Sequence, residues 1–90
     1  MKRLELKIYG RVQGVFFRTS AAAQAQSLNL NGWVGNRPDE GVEIIVEGEE
    51  GVLKKFLDWC KIGSELAKVE RVEVKWDEAT NEFKDFKIKY

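Results

Sequence analysis

Leu4, Leu6 and Ile8 alternate with Glu5 and Lys7, a pattern of period two that predicts a half-buried strand. The alternation breaks at Gly10-Arg11-Val12-Gln13-Gly14. From Thr19 the run TSAAAQAQSLNL is rich in good helix formers, and Ala21, Ala25 and Leu28 fall on one helical face. Asn29, which tolerates the left-handed conformation, is placed to close that helix. Gly32-Trp33-Val34 opens a second strand, Arg37-Pro38-Asp39-Glu40-Gly41 reads as a turn, and Val42, Ile44 and Val46 alternate with polar neighbours apart from Ile45. Two strands joined so closely should pair antiparallel. A second helix is expected over about 49–62, with Val52, Leu53, Phe56, Leu57 and Cys60 on its apolar face and Gly63 at its end. Val72, Val74 and Trp76 make a further alternating strand, 77–82 a polar turn, and Phe86, Ile88 and Tyr90 a short final strand.

The order is β-α-β-β-α-β with a short extra strand. This is the α+β class and the split βαβ, or ferredoxin-like, plan (βαββαβ): one antiparallel sheet with two helices on one face. The length of 90 residues suits one domain, 1–90, and 43% hydrophobic residues suffice for a core. The plan hosts many activities and does not by itself name one.

Charge and composition narrow the chemistry. Fifteen basic residues balance fifteen acidic ones, which argues against bulk electrostatic binding to nucleic acid or to an anionic membrane. Without His there is no His general base and no Ser–His–Asp triad, and a single Cys gives neither an internal disulfide nor a zinc cluster. These features fit a cytoplasmic protein. No stretch has the roughly 20 apolar residues that span a bilayer, and the charged N-terminal strand is not a signal peptide.

The segment from Gly10 to Arg18 carries the most chemistry. It joins a strand to a helix start, where backbone N–H groups are free and the helix dipole favours an anion. Gly14 allows a curled loop whose successive N–H groups converge, and Arg18 adds a planar, permanently charged group that can hold two phosphate oxygens. From the residues alone, a plain tight turn with a solvated or carboxylate-paired Arg18 is the favoured reading.

Ile8-x-Gly10-x-Val12-Gln13-Gly14-Val15-x-Phe17-Arg18 resembles the first signature of the acylphosphatases, and Gly32-Trp33-Val34-x-Asn36 with Asp39, Val42 and Gly48 resembles the second. Trp59, Gly63, Ala67, Val69 and Val72 extend the resemblance along the chain. It implies hydrolysis of the carboxyl–phosphate bond of acyl phosphates. The phosphate would lie on the loop of Gln13, Gly14, Val15, Phe16, Phe17 and Arg18, and Asn36 would orient the attacking water. Arg18 and Asn36 are thus the expected catalytic residues. The substrate is a small acyl phosphate, and no metal, cofactor, nucleic acid or membrane partner is expected of what reads as a monomer. Two alternatives are a catalytically weak phosphate-binding relative and an RNA- or protein-binding module on the same plan.

The chain departs from the family pattern in several places. Gly35 stands where a longer residue is usual, which predicts a looser Asn36. Ala21 replaces a Thr whose hydroxyl would support the water. Glu40 stands where Gly is usual, with Gly41 available as the flexible residue one place later. Gly63-Ser64-Glu65 replaces Gly-Pro-Pro, which predicts a looser loop. Cys60 and the three Trp residues read as packing, and the charges around Glu47, Glu49, Glu50, Lys54 and Lys55 as solvated surface. Of Phe16 and Phe17, one should anchor the loop, leaving the other free to line an acyl pocket.

Overall fold

The computed structural model describes residues 1–90. The elements are β1 (Lys2–Arg11), α1 (Phe17–Ser27), β2 (Asn31–Asn36), β3 (Val42–Gly48), α2 (Glu50–Ile62), β4 (Lys68–Glu78) and β5 (Phe86–Lys89). They form one five-stranded sheet in the order β4-β1-β3-β2-β5. β1 pairs antiparallel with β3 and β4, and β2 antiparallel with β3. The final strand does not continue this pattern, because β5 lies parallel to β2. The sheet is therefore mixed, and the expectation of a wholly antiparallel sheet is corrected at that edge. Alternation marks a strand and its faces but carries no information about the direction of its neighbour.

Register places Leu4, Leu6 and Ile8 opposite Val46, Ile44 and Val42, so these side chains share one face. Val34 and Phe86 join them from β2 and β5. Phe17, Ala21, Ala22 and Ala25 of α1, with Leu53, Phe56 and Cys60 of α2, complete one continuous core on that face. Cys60 is free and fully buried, and burial pushes its thiol up, which removes it as a nucleophile. Helix α1 begins two residues before the Ala-rich run suggested, because the buried Phe17 ring seats its first turn. Asn29 takes the left-handed conformation (φ 56°) and closes it as expected. No helix is long and apolar enough to cross a membrane.

The opposite face of the sheet is charged, and its aromatic rings are covered. The Arg71 guanidinium lies 4.3 Å from the Tyr9 ring centroid and the Lys89 ammonium 4.0 Å from that of Trp33. Neither ring is bare for base stacking. At one end of this face Glu47, taken from sequence as solvated, is only 6% exposed. Its carboxylate accepts hydrogen bonds from Arg3 Nε at 2.9 Å, Thr80 N–H at 2.8 Å and Asn81 N–H at 3.0 Å. Arg3 also pairs with Glu82. The segment linking β4 to β5 is thus held by a carboxylate from β3 on its way to the far edge of the sheet, where β5 pairs with β2.

The β2–β3 turn uses its residues differently from the sequence expectation. Glu40 itself has a left-handed φ of 71°. Gly41 does not have a positive φ; it is needed for space, since a Cβ there would stand 2.8 Å from the Tyr9 ring and 3.0 Å from the Ile8 carbonyl oxygen. The turn closes through Arg37 N–H to Gly41 O at 2.8 Å, and Asp39 accepts from Gly41 N–H and Arg37 Nε. Partial desolvation pulls the Asp39 carboxyl up, but these hydrogen bonds and one from Tyr9 outweigh it and hold it below its ordinary value.

Two predictions concern stability. Glu47→Ala should lower it by about 2–4 kcal/mol in urea unfolding, because the Thr80 and Asn81 N–H groups and Arg3 lose a shared acceptor. Burial raises the Glu47 carboxyl, yet its donors prevail and leave it below 4.5 in the folded protein. That stabilisation is complete above the ordinary value and fades as pH falls through the lower folded value. Wild-type stability should therefore decline more steeply on acidification from about pH 6 to pH 3 than that of Glu47→Gln. In the turn, Glu40→Gly relieves a left-handed non-glycine residue, offset in part by a more flexible unfolded chain. A net gain of about 0.5–1 kcal/mol in the same assay is expected.

Candidate active site

The loop between β1 and α1 meets the end of β2 at a cleft of about 220 Å³ lined by Val12, Gly14, Phe16, Phe17, Arg18, Thr19 and Asn36. Asn36 pairs with Val42, so its side chain leaves β2 on the helix-bearing side, just beyond the core. Arg18 reaches the same cleft from the first turn of α1.

The helix start is built to be electropositive. Phe16 occupies the N-cap position, where no side chain caps the helix, and the first turn contains no acidic residue. Helix α2, by contrast, has Glu50 in its first turn. The first intrahelical bond is donated by Ser20 to Phe16 O at 3.1 Å, and the N–H groups of residues 13–19 find no backbone acceptor. Gly14 (φ 73°) and Phe16 (φ 62°) are both left-handed, and alternating left- and right-handed residues turn successive N–H groups toward one side. A Cβ on Gly14 would meet no atom within 4 Å. Its glycine thus answers to the backbone angle and to the open space in front of the loop, not to packing behind it.

Arg18 forms no ion pair with a carboxylate. Its Nη1 lies 3.4 Å from Lys89 O, and its Cζ 5.0 Å from the Tyr90 ring centroid, so the end of β5 supports the guanidinium from one side. Two acidic residues in and beside the β2–β3 turn are engaged elsewhere. Asp39 and Glu43 both pair with Arg37, at 3.1 and 3.2 Å. A charge-assisted site for an anion remains, made of one guanidinium and a set of N–H groups.

The two adjacent phenylalanines divide their roles. Phe17 is 1% exposed and packs on Trp59 with ring centroids 5.4 Å apart. Phe16 is 73% exposed at the lip of the cleft. Val15 is buried, and its carbonyl accepts a hydrogen bond from Ser64 Oγ at 2.8 Å. The 63–65 segment is therefore tied to the loop, and Gly63 lies close enough to Phe17 that a Cβ would come within 2.9 Å of the ring.

Of the expected phosphate-binding residues, Gly14, Phe16, Phe17 and Arg18 line the cleft together with Asn36. Val15 and Gln13 do not present their side chains to it. Val15 points into the core. The Gln13 amide turns away and donates to Arg37 O at 2.9 Å and Gly41 O at 2.8 Å. Only their backbone N–H groups remain for an anion. Ala21 is buried in the core and cannot take part. Thr19 lines the cleft and was not singled out from sequence, where a Thr opening an Ala-rich helix reads as an ordinary first-turn residue. Gly35, expected from sequence to loosen Asn36, is paired on both sides. It is buried between two partners, opposite Glu43 on β3 and Lys89 on β5. No group of three or more Asp, Glu, Cys or His side chains is arranged to hold a metal ion.

Comparison with known proteins gives the same picture. A family model described as Acylphosphatase matches residues 4–88. An acylphosphatase of Pyrobaculum aerophilum is 47% identical over 89 residues, covering 98% of this chain and 94% of that protein. One of Thermococcus kodakarensis is 49% identical over 76 residues, covering 84% of each. Among solved structures, an acylphosphatase from Bacillus subtilis superposes with a TM-score of 0.96 at 38% identity, covering 100% of both chains. Sequence and fold agree over almost the whole length, and the chain belongs to the acylphosphatase family.

Proposed function

We propose that this protein hydrolyses small acyl phosphates to a carboxylate and inorganic phosphate at the cleft between the 13–18 loop and Asn36. The observation that carries this reading is the convergence of unpartnered loop N–H groups, Arg18 and Asn36 on one cleft that has no acidic lining. The phosphoryl group would sit on the loop, with its charge met by the N–H groups and the Arg18 guanidinium. These donors are fixed by buried neighbours before substrate arrives, so little reorganisation is needed as charge shifts in the transition state.

Asn36 would hold the attacking water. Its amide offers both an acceptor and donors, so it can fix the water's direction, though it is too weak a base to take the proton. A phosphoryl oxygen of the substrate can accept that proton instead. The carboxylate is a good leaving group, so the reaction depends mainly on position and charge. A chain without His is chemically adequate on this scheme. The acyl group would extend past Phe16, the exposed ring at the lip. We read the protein as a cytoplasmic monomer acting without metal or organic cofactor, consistent with its one reduced, buried cysteine.

Benzoyl phosphate hydrolysis tests the reading. Arg18→Ala should lose about 100–1000-fold in kcat/KM and bind inorganic phosphate poorly. Asn36→Ala should lose kcat by a similar factor with KM changed less than about 3-fold, since it acts on the water and not on the phosphate. Inorganic phosphate should compete with substrate. Near-normal turnover by Arg18→Ala would refute the assignment, and phosphate binding without any wild-type turnover would leave a binding-only relative.

A further inference from the structure

We propose that Gln13 is a positioning residue that fixes Asn36 relative to the phosphate loop. The proposal rests on the reading of Asn36 as the group that orients water. The Gln13 side chain leaves the first residue of the loop and crosses to the β2–β3 turn. One nitrogen spends both its hydrogens there, on Arg37 O at 2.9 Å and on Gly41 O at 2.8 Å. Arg37 directly follows Asn36. Gly41 O is also the acceptor that closes the turn, taking Arg37 N–H at 2.8 Å. The same two carbonyls that define the turn therefore tie it to the loop.

Asn36 needs such a tie. It is the last rung of the β2–β3 ladder, and its side chain is exposed. Its direction is set by the backbone that carries it. On the β2 side that backbone is held by the sheet. On the turn side it is held by Arg37, whose place within the turn is set by Gly41 and Glu40 and whose tie to the loop is the Gln13 amide. One planar amide thus links the element that presents N–H groups to the element that presents Asn36.

The chemistry of the position is specific. Two donors on one neutral nitrogen match two carbonyls. Glutamate would set a carboxylate against two carbonyl oxygens, and methionine would fill the space with no donor. A misplacement of about 1 Å at a reacting group can cost up to 100-fold in rate, so the effect should appear in turnover more than in binding.

The experiment is a double-mutant cycle on benzoyl phosphate hydrolysis with Gln13→Met and Asn36→Ala, with inorganic phosphate as a competitive inhibitor. In the wild-type background Gln13→Met should lower kcat about 10-fold or more, with the phosphate inhibition constant unchanged within about 2-fold. In the Asn36→Ala background the same substitution should change kcat by less than about 2-fold, because no amide is left to misplace. Gln13→Glu should behave like Gln13→Met with a larger loss, and it keeps the test available should the methionine variant fold poorly by circular dichroism. An equal loss in both backgrounds would overturn the proposal, as would an unchanged kcat. A phosphate inhibition constant that rises in step with the loss of kcat would place Gln13 on the phosphate instead. Wild-type protein that fails to hydrolyse the substrate would refute the functional reading, and this inference with it. Wild-type turnover with an indifferent Gln13 would refute this inference alone.

Discussion

An anion site made of backbone N–H groups works only if the backbone is prevented from satisfying itself. Left to local preference, a chain entering a helix caps its first turn with a side chain or an acidic residue. Here neither is present, and the N–H groups of residues 13–19 have no backbone acceptor. The loop must be held open from behind. Val15 and Phe17 are driven into the core, Trp59 packs on Phe17, and Ser64 takes the Val15 carbonyl. Each contact removes a way for the loop to close. The fold supplies what the loop cannot supply for itself, and the cost of unpaired donors is met by burial of the hydrophobic residues between them.

A second consequence is that charge acts locally in a chain with no net charge. Several of the acidic residues on this part of the sheet are paired with arginines. Asp39 and Glu43 both face Arg37, and Asp39 also accepts from Gly41 and Tyr9. Glu47 and Glu82 meet Arg3 at the other end of β1. Arg18, unlike Arg3 and Arg37, has no carboxylate partner. Overall neutrality therefore argues against long-range steering of polyanions, while an arginine with no carboxylate partner leaves positive charge at the cleft.

Much of this was legible in the sequence, and the reasons are particular. Leu4, Leu6 and Ile8, and Val42, Ile44 and Val46, each reveal a face because burial on one side imposes period two. Gly14 and Arg18 stand out from the residues as parts of an anion loop, but a plain turn is favoured until the resemblance to a family outweighs it, and Asn36 comes from that resemblance alone. What stayed hidden depends on partners distant in sequence. The segment leading to the parallel β5 is held by Glu47 through Thr80 and Asn81, and nothing in Glu47 itself distinguishes it from a solvated residue. The departures at Gly35 and Ser64 were read as loosening because local flexibility was the only visible consequence. In the folded chain Gly35 is paired on both sides and Ser64 donates to the loop.

The position of Glu40 sharpens the distinction between local and global requirements. A glycine adjacent to a residue of the wrong conformational type suggests that the left-handed role has simply moved along by one. It has not moved, because Gly41 is already committed to letting the Tyr9 ring and the Ile8 carbonyl approach. Two demands, one on backbone angle and one on space, fall on neighbouring residues, and only the second receives a glycine. The left-handed Glu40 is then sustained by everything that closes the turn around it: the Arg37–Gly41 bond, the Asp39 carboxylate and the Gln13 amide. The turn that follows Asn36 is stable because several independent contacts over-determine it. Those contacts fix the shape of the turn, and the Gln13 amide, the one among them that comes from the loop, is what on our proposal sets the exposed Asn36 opposite it.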